Sequence, residues 1–107
     1  MHILIVEADP VVADVLGMTL EEAGHSQSTA RNIETALAEL KHNAIDVVLL
    51  DINLPDGDGT RLARLIRKNH MPVPILVVSG NASTDDKIAA LGAGADGYLT
   101  KPFDRFE

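Results

Sequence analysis

The sequence predicts a single α/β domain built on a doubly wound, five-stranded parallel sheet with helices on both faces. Three observations carry that prediction. Short apolar runs at Ile3-Leu4-Ile5-Val6, Ile45-Asp46-Val47-Val48-Leu49-Leu50 and Ile75-Leu76-Val77-Val78 read as strands buried on both faces. Stretches of helical period separate them, so that a βα unit repeats about five times. With 107 residues the chain has room for one domain and not for two.

Each element has its own local reason. The first run ends at Glu7, and Asp9-Pro10 supplies an N-cap followed by proline at the first helical position. Val12, Val15, Leu16, Thr19, Leu20 and Ala23 recur at helical spacing, and Gly24 offers a stop. Ser26 to Ala30 is polar and weak, suited to an edge strand. Ile33, Ala36, Leu37 and Leu40 form a second amphipathic helix, capped by Asn32. Ile45 to Leu50 is the strongest strand, with Asp51 at its carboxyl end. Asn53-Leu54-Pro55-Asp56-Gly57-Asp58-Gly59 is dense in turn formers. Leu62, Leu65 and Ile66 mark a third helix, stopped before Pro72 and Pro74. The strand at Ile75 to Val78 leads into Ser79-Gly80, Ser83 or Thr84 caps a fourth helix, and Gly92 to Gly97 breaks it. Tyr98-Leu99-Thr100 closes a last strand before Lys101-Pro102. A fifth helix would only have begun at Glu107. The expected unit is therefore one domain over 1–107 with its last helix truncated and any output domain outside the chain.

Composition excludes several functions. Hydrophobic residues at 46% and charged residues at 23% describe a globular chain, not a disordered one. Sixteen Asp+Glu against nine Lys+Arg give a net charge of −7, a field that repels nucleic-acid phosphates. Without cysteine there is no disulfide, thiol nucleophile or thiolate metal site, which suits a reducing compartment. No apolar run reaches the ~18 residues of a membrane span, and no basic region precedes the first one. The expectation is a cytoplasmic domain that touches neither membrane nor, by itself, DNA.

Ligands of open parallel sheets bind outside the carboxyl ends of the strands. Those ends carry Glu7 and Asp9, then Asp51, Ser79 and Lys101. Carboxylates, a hydroxyl and an ammonium at one rim suggest phosphoryl chemistry on a divalent cation: carboxylate and water suit Mg²⁺, while the hydroxyl and lysine can take phosphoryl oxygens. A solvated rim of caps and turns accounts for each residue singly but poorly for their joint placement.

Glu7, Asp51-Ile52-Asn53-Leu54-Pro55-Asp56-Gly57-Asp58-Gly59, Ser79-Gly80 and Tyr98-Leu99-Thr100-Lys101-Pro102-Phe103 together resemble the receiver domain of two-component response regulators. The match runs in order along essentially the whole chain. The resemblance implies the flavodoxin-like, CheY-like form of the fold. It implies Asp51 as phosphoacceptor from a sensor histidine kinase or phosphotransfer protein, Lys101 as the lysine that pairs with it, and Ser79 as the switch hydroxyl. Tyr98 takes the aromatic switch position, with small Gly80 leaving room beside it. Mg²⁺ would be held by Glu7, Asp51 and the Asn53 carbonyl, with Asp9 as an alternative, and a cis peptide is implied at Lys101-Pro102. Such a domain is a switch and not an enzyme beyond its own phosphorylation and slow autodephosphorylation. Relatives of this type often dimerise and act on transcription through a DNA-binding domain.

One position departs from the pattern. Val6-Glu7-Ala8-Asp9 places alanine where receivers usually carry a second acidic residue, the direct carboxylate ligand of Mg²⁺. Alanine has no donor atom, so the expectation is a working receiver with a weakened metal site. A phosphorylation-independent docking or dimerising module is the alternative. A third reading, a Mg²⁺-dependent phosphatase of the aspartyl-phosphate kind, needs a general acid two residues after the nucleophile, where this chain has Asn53.

Other signals are weaker. Gly92-Ala93-Gly94-Ala95-Asp96-Gly97 spells G-x-G-x-x-G but follows a helix and precedes a strand, the reverse of a dinucleotide site. His2, His25, His42 and His70 lack metal-ligand spacing and read as solvated. Arg61, Arg64, Arg67 and Lys68 read as a solvated basic helix face.

Overall fold

The computed structural model describes residues 1–80 and 83–100. The elements run β1 (His2–Val6), α1 (Pro10–Glu22), β2 (Ser26–Ala30), α2 (Ile33–His42) and β3 (Val47–Asp51), followed by a two-stranded ribbon of β4 (Asn53–Leu54) and β5 (Gly57–Asp58). Then come α3 (Gly59–Lys68), β6 (Ile75–Ser79), α4 (Thr84–Gly92) and β7 (Gly97–Thr100). Five strands form one parallel sheet in the order β2-β1-β3-β6-β7. The chain therefore winds outward from β1 in one direction and then, after α2, in the other, which makes the β1/β3 boundary the switch point of the sheet.

Alternation along the strands splits the core in two. Leu4, Val6, Val48, Leu50, Ile75 and Val77 face α2, α3 and α4, and pack with Ile33, Ala36, Leu62, Ala63, Ile66 and Ala90. Burial of a Leu or Ile side chain of this kind is worth roughly 1.5–3 kcal/mol. Ile3 and Ile5 face the other way, where α1 lies over β1 and β2. On that second face Leu49 and Leu76 are only partly buried, and Leu99 is 51% exposed.

The helix caps follow the sequence. Asp9 caps α1 by accepting from Val11 N at 2.9 Å, Asn32 caps α2 through Thr35 N at 2.8 Å, and Ser83 caps α4 through Asp86 N at 3.1 Å. Asp58 caps α3 through Thr60 N at 2.8 Å. Gly24, at φ +91, ends the turn after α1 in the left-handed region.

Four expectations need correction. The buried stripe of α1 is not the full set read from hydrophobic spacing: Ala13 and Gly17 are buried and Val12, Leu16 and Leu20 partly so, while Val15, Thr19 and Ala23 are exposed. Small residues face the sheet because α1 packs closely on β2; a Cβ at Gly17 would stand 3.2 Å from the Gln27 side chain. The third strand starts at Val47, since Asp46 turns its carboxylate to His2 N at 2.7 Å. His2 is not a solvated histidine: its two ring nitrogens lie 2.7 Å from the hydroxyls of Ser26 and Ser28 on β2.

Nor is Arg67 part of a solvated face. Its guanidinium donates to the carbonyls of Gly94 (3.1 Å), Met71 (2.7 Å) and Val73 (2.9 Å), and to the Asp96 carboxylate at 2.9 Å. Asp96 also accepts from Ile75 N at 2.8 Å, so the pair ties α3, the start of β6 and the turn after α4 together. The G-x-G-x-x-G segment is that turn, with Gly94 at φ +113. Lys101, Pro102, Phe103, the cis peptide expected at Lys101-Pro102 and the expected start of a truncated fifth helix lie outside the described residues.

Candidate functional site

The parallel ladder dictates which side chains share the rim. Val6 pairs with Leu50, so Glu7 and Asp51 stand at the ends of adjacent strands, one on each side of the switch point. Asp51 in turn pairs with Val78, and Ser79 pairs with Thr100. Glu7 is 4% exposed, Asp51 6% and Ser79 3%. Two carboxylates and a hydroxyl are thus withdrawn from water at the carboxyl edge, where burial of like charges favours a cation between or beside them.

The segments around them decide who else can contribute. Glu7 N donates to Ala30 O at 3.0 Å, and Glu7 Oε2 accepts from Asp9 N at 3.2 Å, so its carboxylate folds over the β1–α1 connection. Asp9 is exposed and committed to capping α1. Ala8, partly buried between them, offers only a methyl group. A shallow cavity of about 200 Å³ opens beside Glu7, floored by Ala13 and edged by Asp14, Thr29 and Arg31. A larger one, about 480 Å³, lies at the opposite end of the sheet around Leu40, Ile45, His70 and Met71, away from every predicted site residue.

After Asp51 the chain turns back at once. Gly59 N donates to Ile52 O at 2.6 Å, and a Cβ at Gly59 would collide with the Asp51 carbonyl oxygen. Only glycine allows α3 to start this close to the strand end. Asn53 opens the β4–β5 ribbon and is exposed, while Leu54 is buried in the core. Gly80 is exposed, with open space where a Cβ would stand, and Tyr98 is partly buried against the core beside Val77.

The structure therefore gathers Glu7, Asp51, Ser79 and the Asn53 backbone at one edge, keeps Asp9 in a capping role, and leaves Lys101 outside the described residues. Among the described residues, no group of three or more His, Cys, Asp or Glu side chains could hold a metal ion. Two buried carboxylates at adjacent strand ends are donors of the kind that suits a hard divalent cation.

One residue at this rim escapes sequence reasoning. Asp56, at the ribbon's tip, sets its carboxylate on the N-terminus of α2, accepting from Ile33 N at 2.9 and 3.1 Å and from Glu34 N at 3.3 Å. The Ile33 amide, despite some desolvation, holds its pKa below the ordinary carboxylate value, with Glu34 N and Arg61 assisting. Nothing near Asp56 in the sequence announces a partner more than twenty positions away.

A parallel sheet of this order, wound in both directions with acidic residues buried at its switch point, defines the doubly wound, flavodoxin-like class of α/β domain. The chain belongs to the response regulator receiver domain family, whose model matches residues 3–107. It is 38% identical over 103 residues to the transcriptional regulatory protein PhoP of Escherichia coli K12, covering 96% of this chain and 46% of PhoP. The chain thus spans about half the length of that relative. Among solved structures it resembles a two-component response regulator from Clostridium difficile (36% identity, TM-score 0.90, covering 95% of this chain and 84% of that one). It also resembles the response regulator TrrA of Thermotoga maritima, solved in complex with Mg²⁺-BeF (31% identity, TM-score 0.86, 96% and 88% covered). Receivers are signalling domains that interact with histidine kinases or phosphotransfer proteins and generally bind Mg²⁺ at their acidic pocket. Among the described residues, no helix is long and apolar enough to cross a membrane.

Proposed function

We propose that this chain, over 1–107, is a phosphoryl-accepting switch whose acceptor is Asp51. The observation that carries the reading is the burial of Asp51 at the end of the central strand, next to Glu7 and one ladder step from Ser79. A carboxylate oxygen of Asp51 attacks phosphorus, the phosphorus–nitrogen bond of the kinase's phosphohistidine breaks, and the imidazole leaves with its electron pair. The product is a mixed anhydride on Asp51. The Ser79 O–H donates a hydrogen bond to a phosphoryl oxygen, and the Lys101 ammonium neutralises another. Tyr98 and Gly80 form the responding edge, since Gly80 leaves space on the β6 side. Mg²⁺, when bound, would offset the negative charge between acceptor and donor; Glu7, Asp51 and the Asn53 carbonyl would hold it. Ala8 removes one carboxylate ligand, so the metal is bound more weakly than in a receiver with two acidic residues there.

The output is control of transcription through a DNA-binding partner domain, with dimerisation as the step that phosphorylation favours and the cytoplasm as the place of action. Support comes from the relative that is itself a transcriptional regulatory protein. The test is incubation with acetyl phosphate and Mg²⁺, followed by mass spectrometry. An acid-stable, base-labile gain of one phosphoryl group in the wild type and none in Asp51→Asn is expected. Undiminished labelling of Asp51→Asn overturns the assignment, and an unlabelled wild type favours a phosphorylation-independent docking module.

A further inference from the structure

We propose that Asp56 is a positioning residue: by lying across the N-terminus of α2, its carboxylate clamps the segment 52–58 that presents the Asn53 backbone to the acceptor site. The inference rests on reading Asp51 as the acceptor, and it adds an element, α2, that the chemistry alone does not call for.

The first turn of a helix exposes amide N–H groups with no intrahelical partner and carries a partial positive charge. In α2 these amides are divided between two caps. Asn32 takes Thr35 N, as a local N-cap does. Ile33 N and Glu34 N go to Asp56, which is delivered from the far side of β3. The local cap is sufficient to start a helix, as Asp9, Asp58 and Ser83 show for α1, α3 and α4. The second cap therefore serves the segment that supplies it.

Elsewhere that segment is held by the Asn53–Asp58 and Leu54–Gly57 pairing and by Leu54, buried in the core. Gly59 N on Ile52 O closes the ribbon, and Asp58 caps α3. At its tip, the Asp56 carboxylate is the side chain that hydrogen-bonds to the amides of another element. Gly57, at φ +146, lies flat on Ile33, where a Cβ would stand 3.3 Å from the Ile33 side chain. Arg61 reaches the Asp56 carbonyl at 3.5 Å from α3. Asp56 thus joins the connection between Asp51 and α3 to a helix on the other side of the switch point. Charge arriving at the rim pulls on a segment whose tip is hydrogen-bonded to α2, so the amides of Ile33 and Glu34 sense the acceptor through Asp56.

The experiment compares ¹⁵N-labelled wild type, Asp56→Ala and Asp56→Asn. Thermal melting first verifies folding; should Asp56→Ala fail to fold, Asp56→Asn, which keeps an oxygen acceptor without the charge, is read in its place. Amide exchange needs no phosphorylation. Loss of a charge-assisted cap should speed exchange of the Asn53, Leu54, Asp56 and Gly57 amides by about tenfold, with the amides of β1 and β3 unchanged. Addition of Mg²⁺ and beryllofluoride should shift the Ile33 and Glu34 amides in the wild type, and that response should vanish in Asp56→Ala while the Ser79 response persists. Half-saturating Mg²⁺ for labelling by acetyl phosphate should rise several-fold, with Asp56→Asn between the two. A change confined to residues 33–35, with the Asn53, Leu54, Asp56 and Gly57 amides exchanging at wild-type rates and Mg²⁺ dependence intact, overturns the proposal and leaves Asp56 a cap of α2. A wild type that takes no phosphoryl group removes the acceptor reading, and the exchange rates still decide the clamp.

Discussion

Restoring a carboxylate at position 8, Ala8→Asp, probes the rim chemistry most directly. The position lies between Glu7, 4% exposed, and Asp9, whose carboxylate is occupied with capping α1. A divalent cation about 4 Å from a new carboxylate gains roughly 2 kcal/mol at the dielectric of water, and several times that in a drier site. Dehydrating the carboxylate returns part of this, leaving on the order of 1–3 kcal/mol, or a roughly ten- to hundredfold tighter Kd. The same charge repels Glu7 and Asp51 when no cation is present, by about 1 kcal/mol each at a 4 Å separation in water. The variant should therefore melt lower than the wild type without metal, by about 4–8 °C for each kcal/mol, and regain that loss as Mg²⁺ is added. Calorimetric titration of both proteins with Mg²⁺ gives the affinity, and scanning calorimetry with and without Mg²⁺ gives the repulsion. Acceptor labelling should speed up at low metal and much less at saturating metal. Equal Mg²⁺ affinities would refute the reasoning, because Glu7 or Asp9 would then already supply the ligand that Ala8 lacks.

Gly59→Ala should destabilise the chain by about 1–3 kcal/mol, since its methyl group meets the Asp51 carbonyl and the strand end must shift; urea melting with labelling alongside reads both effects. Arg67→Lys should lose stability almost as Arg67→Ala does, because an ammonium cannot serve three carbonyls and Asp96 together; matching the wild type would show that charge alone suffices. The depressed pKa of Asp56 predicts an acid-sensitive clamp. Its stabilisation is complete above the ordinary carboxylate pKa of about 3.9 and fades as pH falls through the lower folded value. Asp56→Asn should flatten that part of the acid-unfolding curve, and superimposable curves would count against the clamp.

The sheet was legible because its strands are continuous apolar runs whose ends carry polar residues, and burial on both faces leaves no other pattern. The polar carboxyl edge was legible for the same reason: Glu7, Asp51 and Ser79 are the residues at which three of those runs stop. The face of α1 was less so, because Ala13 and Gly17 pack closely without adding to a hydrophobic period. The ribbon at Asn53–Leu54 and Gly57–Asp58 is too short for any periodicity to show. His2, Arg67 and Asp56 were misread or missed because their partners are on other elements. Each looks solvated by itself and acquires its role only when Ser26 and Ser28, the Gly94 turn or the start of α2 is brought beside it.

These particulars divide the molecule by the direction of its strands. At the amino ends, His2 with Ser26, Ser28 and Asp46, and Arg67 with Asp96, join neighbouring strands and loops through polar side chains. At the carboxyl ends, Glu7, Asp51 and Ser79 are buried where no apolar packing requires them. The first set holds the sheet edges and turns, and the second is the set to which the proposed function assigns the chemistry. Because the connection after β1 is anchored by Glu7 N on Ala30 and by the Asp9 cap, the side chain at position 8 contributes to neither anchor. Alanine can therefore stand there without loosening the connection, and on the proposed function its consequence falls on metal binding.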